Sequence, residues 1–213
     1  MSHPVLGIVD CGSGNFRSLT NVLSHISDCQ LVISKEITKL EKCDKLIIPG
    51  VGSFMAASEP RKIKSLKDIV DHFRSNGKDI LGICLGMQIL FNSSSEGGTN
   101  IGLQIFKQRI THFSEHPNYH LSNKILVPHV GLNSILFDRK NCILKGIENE
   151  SRFYFTHSYC APPGLDSTVC ETTYGSCNFS SVVQADNVYG VQFHPELSGQ
   201  IGLKLLRNFI QIS

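Results

Sequence analysis

The chain lacks an excess of either charge. Lys plus Arg is 20 and Asp plus Glu is 18, a formal net charge of +2. Binding nucleic acid by phosphate neutralisation needs more positive charge, gathered in one place. The one basic cluster, Arg61-Lys62-Ile63-Lys64 with Lys67, stands among apolar residues at helical spacing and reads as a solvated helix face. Long apolar runs are also missing. The longest, Ile80 to Phe91, is interrupted by Gly and Gln and is too short to span a bilayer. Met1-Ser2-His3-Pro4 carries no secretory signal. The eight cysteines, at 11, 29, 43, 84, 142, 160, 170 and 177, form no C-x-x-C pair. In a chain of 213 residues an even cysteine count alone makes no disulfide framework. The expectation is a cytoplasmic protein with free thiols, one of them reactive. No linker, repeat or low-complexity segment divides the sequence, so residues 1–213 are expected to form one domain with a full core.

What is present is an alternation. Val5-Leu6-Gly7-Ile8-Val9, Leu31-Val32-Ile33, Lys45-Leu46-Ile47-Ile48 and Asp79-Ile80-Leu81-Gly82-Ile83 are short apolar runs. Between them, Phe16 to Ile26 and the stripe Ile63, Leu66, Ile69, Val70, Phe73 have helical spacing. Continuous apolar strands alternating with helices predict an α/β fold with a parallel central sheet covered on both faces. Leu85 to Phe91 is expected to continue as helix. From about Gln104 to Gln192 the runs are short and turn-rich, predicting antiparallel strands that extend the sheet. Ile201, Leu205, Leu206, Phe209 and Ile210 predict a closing amphipathic helix with Ser198 at its N-cap. The polar segment Ser93 to Asn100 is expected to be a mobile loop.

The most informative segment is Gly82-Ile83-Cys84-Leu85-Gly86, after a strand and before a helix. It has the form of a nucleophile elbow with cysteine in place of serine. Flanking glycines permit the tight turn, a helix N-terminus favours thiolate, and the Leu85 N–H would face an oxyanion beside the sulfur. For the other seven cysteines a buried structural role is the better reading. A thiolate needs a base and a group to orient it. Gln192-Phe193-His194-Pro195-Glu196 offers both after the strand-like run Val188 to Val191. A lone histidine is usually structural; His194 stands out through its carboxylate neighbour and the elbow cysteine far away in sequence. Pro49-Gly50-Val51-Gly52 ends a strand on the same sheet edge and can offer backbone N–H groups. His112, His116 and His120 are four apart, but Pro117 lies between them, so an incidental polar loop is expected and no metal site.

PGVGSF, GICLGMQ and QFHPE, in that order and spacing, resemble the class I (triad-type) glutamine amidotransferases. The segments 10–15 (DCGSGN), 127–133 (VPHVGLN) and 154–159 (YFTHSY) narrow the resemblance to glutaminase subunits of imidazole glycerol phosphate synthase. It covers nearly the whole chain. It implies that Cys84 is the nucleophile, His194 the general acid and base, and Glu196 the group that orients His194. Gly50, Val51, Gly52 and Leu85 would form the oxyanion hole; Gln88, Glu96, Ser158 and Tyr159 would hold glutamine. Asn15, Leu132, Tyr154 and Leu197 would face a (β/α)-barrel cyclase, which receives ammonia and binds the nucleotide substrate. No metal or cofactor is implied. The chain departs from the family pattern at Cys11, Val130, Leu132 and Leu197, all near the expected partner face. Three other readings compete: the same chemistry feeding another acceptor such as a sugar-amidation pathway, a free-standing γ-glutamyl hydrolase or cysteine peptidase, and a silent binding subunit.

Overall fold

The computed structural model describes residues 4–10, 16–50, 52–121, 125–138 and 140–212. The first half runs β1 (Val5–Val9), α1 (Phe16–Ile26), β2 (Gln30–Ser34), α2 (Ile37–Leu40), β3 (Lys45–Ile48), α3 (Phe54–Ala57), α4 (Pro60–Ser75), β4 (Ile80–Ile83) and α5 (Leu85–Gln88). Then follow β5 (Phe91–Ser94), β6 (Asn100–Ile101), β7 (Phe106–His112), β8 (His129–Ser134), β9 (Arg152–His157) and β10 (Tyr159–Cys160). The chain closes with β11 (Thr168–Tyr174), β12 (Cys177–Ala185), β13 (Val188–Val191) and α6 (Gly199–Ile210).

The central sheet has seven strands in the order β11-β12-β13-β4-β3-β1-β2. β2, β1, β3, β4 and β13 are parallel to one another, whereas β12 pairs antiparallel with both β13 and β11. The parallel strands read as unbroken apolar runs because both faces are covered. Leu81 and Ile83 pack with Leu19 and Leu23 of α1 and Leu205, Leu206 and Phe209 of α6. Leu46, Ile48 and Ile80 join Leu66, Ile69, Val70 and Phe73 of α4 on the other face. Each such side chain contributes about 1.5–3 kcal/mol on burial. Arg61, Lys62, Lys64 and Lys67 of α4 are exposed, as expected.

The second half differs from expectation in detail. Only β11 and β12 extend the main sheet antiparallel. β13 joins the main sheet parallel to β4, and the other strands form a four-stranded sheet, β10-β7-β5-β6, and a two-stranded ribbon, β8-β9. The helix after Cys84 stops at Gln88, and Phe91 begins a strand paired with Phe106. Ile89, Leu90 and Phe91 are all buried, so their burial has no helical period, and strand pairing takes over. The polar segment from Ser93 is built in. Ser94 Oγ accepts from the Glu96 N–H at 3.1 Å, and Glu96 Oε2 accepts from the Phe54 N–H at 2.8 Å. Ser198 does stand at the start of α6, but its side chain does not cap the helix.

Candidate active site

Cys84 and His194 are 110 positions apart in sequence, and sheet register brings them together. β4 and β13 are parallel neighbours with Ile83 opposite Val191. The Cys84 N–H donates to the Val191 carbonyl at 2.7 Å. The two chemistry-bearing turns therefore leave adjacent strands at their carboxyl ends, where parallel sheets hold ligands.

The elbow is tight. Cys84 sits at φ 51°, ψ −108°, a left-handed conformation that a non-glycine residue adopts at a cost of about 1–3 kcal/mol. Three glycines make room for it. A β-carbon on Gly82 would run into the Gly86 carbonyl, one on Gly86 into the Ile48 carbonyl, and one on Gly50 into the Leu85 N–H and the Ile83 carbonyl. The turn therefore closes only with hydrogen at these positions. Leu85, first residue of α5, follows the cysteine directly and has its N–H outside the helix's own ladder. The helix has only four residues, so its dipole at Cys84 is small; helix support for the thiolate is weaker than the sequence pattern implied.

His194 is pinned from several sides. Its N–H donates to the Tyr154 carbonyl at 2.8 Å. Ser198 Oγ donates to the His194 carbonyl at 2.6 Å and accepts from the Tyr154 N–H at 2.9 Å. Close packing of α6 against the 195–197 turn needs Gly202, whose β-carbon would strike the Pro195 carbonyl. The imidazole Nδ1 lies 2.8 Å from Glu196 Oε1. A carboxylate there fixes Nδ1 as the protonated nitrogen and leaves Nε2 for the sulfur. Burial alone would lower the His194 pKa. Hydrogen bonds and charge from Cys84 and Glu196 outweigh it and hold it up at about 10.

A pocket of about 300 Å³ opens at this point. Cys84 and His194 line it, together with all four residues expected to hold glutamine, Gln88, Glu96, Ser158 and Tyr159. Gly50, Gly52 and Leu85 of the expected oxyanion hole line it too. Val51 lies outside the described residues. Thr156 and His157 also line the pocket and had not been given a role from sequence. Neither had Gln192, fully buried beneath it, whose Nε2 lies 3.5 Å from Cys84 Sγ. A larger cavity, about 440 Å³, lies between the end of β1 and α4. Among the described residues its lining, which includes Lys35, Arg61 and Lys62, holds no thiol or imidazole.

Of the expected partner face, Asn15 lies outside the described residues. Leu132 and Tyr154 are register partners across β8 and β9, as are Val130 and Thr156. Val130 is 55%, Leu132 51% and Leu197 49% exposed, large apolar side chains in solvent. The same Tyr154 carries the backbone bond to His194, so this face and the site share a strand. Among the described residues no three acidic, His or Cys side chains group as a metal site. His112 instead caps the 113–115 turn, and His116 Nε2 meets the Asn178 carbonyl at 3.1 Å.

Comparison with known proteins agrees with this geometry. The family described as glutamine amidotransferase class-I matches residues 7–212. The imidazole glycerol phosphate synthase subunit HisH of Methanocaldococcus jannaschii is 38% identical over 208 residues, covering 98% of this chain and 100% of that protein. The subunit of the same name from Picrophilus torridus is 39% identical over 209 residues, covering 98% and 100%. Among solved structures, PurLQS from Thermotoga maritima superposes with a TM-score of 0.74 over 98% of each chain at 17% identity, a likeness of fold.

Proposed function

This chain belongs to the class I glutamine amidotransferase family, and within it we propose a role for each group in the pocket. It is the glutaminase that supplies ammonia for imidazole glycerol phosphate synthesis in histidine biosynthesis. The observation that carries the proposed roles is the strained elbow cysteine facing a carboxylate-backed imidazole inside a pocket that also contains Gln88 and Glu96.

Glutamine enters with its α-ammonium toward the Glu96 carboxylate. The polar groups of Ser158 and Tyr159 hold the rest of its head. Cys84 Sγ attacks the carboxamide carbon, and the oxyanion forms against the Leu85 N–H and the Gly50–Gly52 backbone. His194 gives its Nε2 proton to the leaving nitrogen, the C–N bond breaks, and ammonia and a γ-glutamyl thioester result. His194, now neutral, takes a proton from water, and the hydroxide displaces sulfur to give glutamate. Glu196 keeps the imidazole oriented throughout.

The partner in this reading is a (β/α)-barrel cyclase seated on the face of Leu132, Tyr154 and Leu197. The setting is the cytoplasm, and residues 1–213 act as one amidotransferase domain. The test is Cys84→Ala in complex with that cyclase. Glutamine-dependent product formation should vanish while formation from ammonium salt persists. Glutamine hydrolysis at the unaltered rate would overturn the assignment. Stimulation by some other barrel and not by the histidine-pathway cyclase would move the acceptor elsewhere.

A further inference from the structure

Beneath the pocket, a chain of amides ends on the nucleophile. It begins at the Tyr159 carbonyl, which can only accept. That oxygen takes N–H groups from His157 Nδ1 and from Gln88 Nε2, each at 2.9 Å. Gln88 Nε2 also donates to Gln192 Oε1 at 3.0 Å. Both protons of the Gln88 amide are thereby used, and its Oε1 is left for the pocket it lines. Because Gln192 Oε1 is turned to Gln88, Gln192 Nε2 is turned to Cys84 Sγ, 3.5 Å away.

Neither amide can be reversed. Turning Gln88 around would set its carbonyl against the Tyr159 carbonyl. Turning Gln192 around would oppose two NH₂ groups and put a carbonyl lone pair against the sulfur. Gln88 is 5% exposed and Gln192 0%, so water cannot repair either error. The four-residue helix behind Cys84 contributes little field of its own. The side-chain N–H that meets the sulfur is therefore well placed to matter.

We propose that Gln192 is a further catalytic residue: its Nε2–H donates to the Cys84 sulfur, and its Oε1 turns Gln88 so that Gln88 Oε1 faces the bound carboxamide as an acceptor. This rests on the reading of Cys84 as the nucleophile of a glutaminase. No proton leaves Gln192. The hydrogen bond holds the sulfur's electron pair before attack, weakens as the S–C bond forms, and returns when hydroxide expels the sulfur. The same chain favours a substrate NH₂ over a carboxylate oxygen, separating glutamine from the glutamate it becomes.

The test is alkylation of Cys84 by iodoacetamide, followed at the Cys84 peptide by mass spectrometry across pH. Two variants are compared, Gln192→Met, of similar length without a donor, and Gln192→Glu, of the same shape. Near neutral pH, Gln192→Met should react on the order of tenfold more slowly than the unaltered chain. The deficit should close at alkaline pH, where the thiolate forms without help; a merely structural lesion would slow the reaction equally at every pH. In the complex with the cyclase, kcat should fall and KM for glutamine should rise together. Unaltered alkylation profiles in both variants would overturn the proposal. Should the variants fail to fold, the unaltered chain still decides the matter by NMR. The Gln192 side-chain amide resonances should move when Cys84 is alkylated, and their staying put would refute the contact. If Cys84→Ala still hydrolyses glutamine, the glutaminase reading itself fails. If only the Gln192 predictions fail, that reading stands and this inference falls.

Discussion

The elbow wall, where β4 ends at Cys84, and the ribbon wall, where β9 ends at His157, face each other across one pocket. Both present buried imidazoles, and the two kinds of imidazole are held in opposite states. His194 has a carboxylate behind it, and its pKa is held up at about 10. His157 has a backbone carbonyl behind it, and burial, with His129 beside it, pushes its pKa down to about 3. Burial likewise takes His129 down to about 4. Hydrogen bonding fixes the ribbon wall as a neutral chain. His157 Nδ1–H meets the Tyr159 carbonyl, so its Nε2 accepts from His129 Nδ1–H at 3.1 Å, and His129 Nε2 accepts from Asn133 at 3.3 Å. His129 is also stacked between Phe155 and Tyr174, with ring centroids 4.8 and 4.0 Å away. A histidine's role here is set by what stands behind it: an anion makes it a proton carrier, a carbonyl makes it a strut.

The largest effects should separate the two walls. His194→Asn removes the proton carrier and should lower kcat on the order of 10⁴-fold, with glutamine binding little changed. Glu196→Gln leaves the carrier but misorients it, and should cost on the order of 10²-fold. On the ribbon wall, His157→Asn should lower thermal stability while leaving the pH profile of kcat where it was. Steady-state kinetics and thermal unfolding of the three variants give the comparison directly. A loss of turnover at His157 equal to that at His194 would break it.

How much of this could be read from sequence follows the same division. β1, β3 and β4 were legible because strands covered on both faces are apolar at every position, and α4 because its stripe has helical spacing. The elbow and the His194–Glu196 pair were legible because each is a local pattern; the glycines at 82 and 86 and the proline at 195 are marks of backbone geometry. The adjacency of β13 and β4 was not legible, since pairing across about a hundred residues leaves no local trace. The early end of α5 was hidden because Ile89, Leu90 and Phe91 are buried on all sides, and a uniformly apolar run has no period. Gln192 was passed over because an amide's role lies in which way it is turned, and only the Tyr159 carbonyl settles that. The segment from Ser93 looked like an open loop because its hydrogen bonds go to a distant element, the Phe54 N–H.

The next effect lies on the outer side of the ribbon, which carries Val130 and Leu132 beside Tyr154. Strand alternation puts these opposite to the buried His129 and Phe155. Leu132→Lys with Leu197→Lys should weaken binding of the proposed cyclase on the order of 10²-fold, measured by calorimetry or analytical ultracentrifugation. Cys84 alkylation in the isolated chain should not change, because neither side chain touches the pocket. A matching loss of alkylation would mean that the outer and inner sides of the ribbon are not separable.

The smallest predicted effect is in stability against pH, and its sign differs between the walls. His129 and His157 have folded pKa values of about 4 and 3, below the ordinary value of 6.5, so between these limits the unfolded chain binds more protons than the folded one. Their contribution is complete above about pH 6.5, declines as pH falls through that value, and levels off near 4 and 3. His194, raised to about 10, does the reverse: its contribution is full below 6.5 and is lost as pH rises toward 10. From pH 6.5 to 5.5, therefore, His194 gives back only about 0.4 kcal/mol of unfolding free energy, and each ribbon histidine should cost about 1 kcal/mol. Carboxylates titrate mainly below this window. His129→Gln keeps a donor toward His157 but removes one titrating ring. Urea unfolding at the two pH values should show a smaller loss in this variant by about 1 kcal/mol, whatever its absolute stability. An undiminished loss would mean that His129 is already protonated in the folded chain, and the neutral chain from Asn133 to Tyr159 would have to be abandoned.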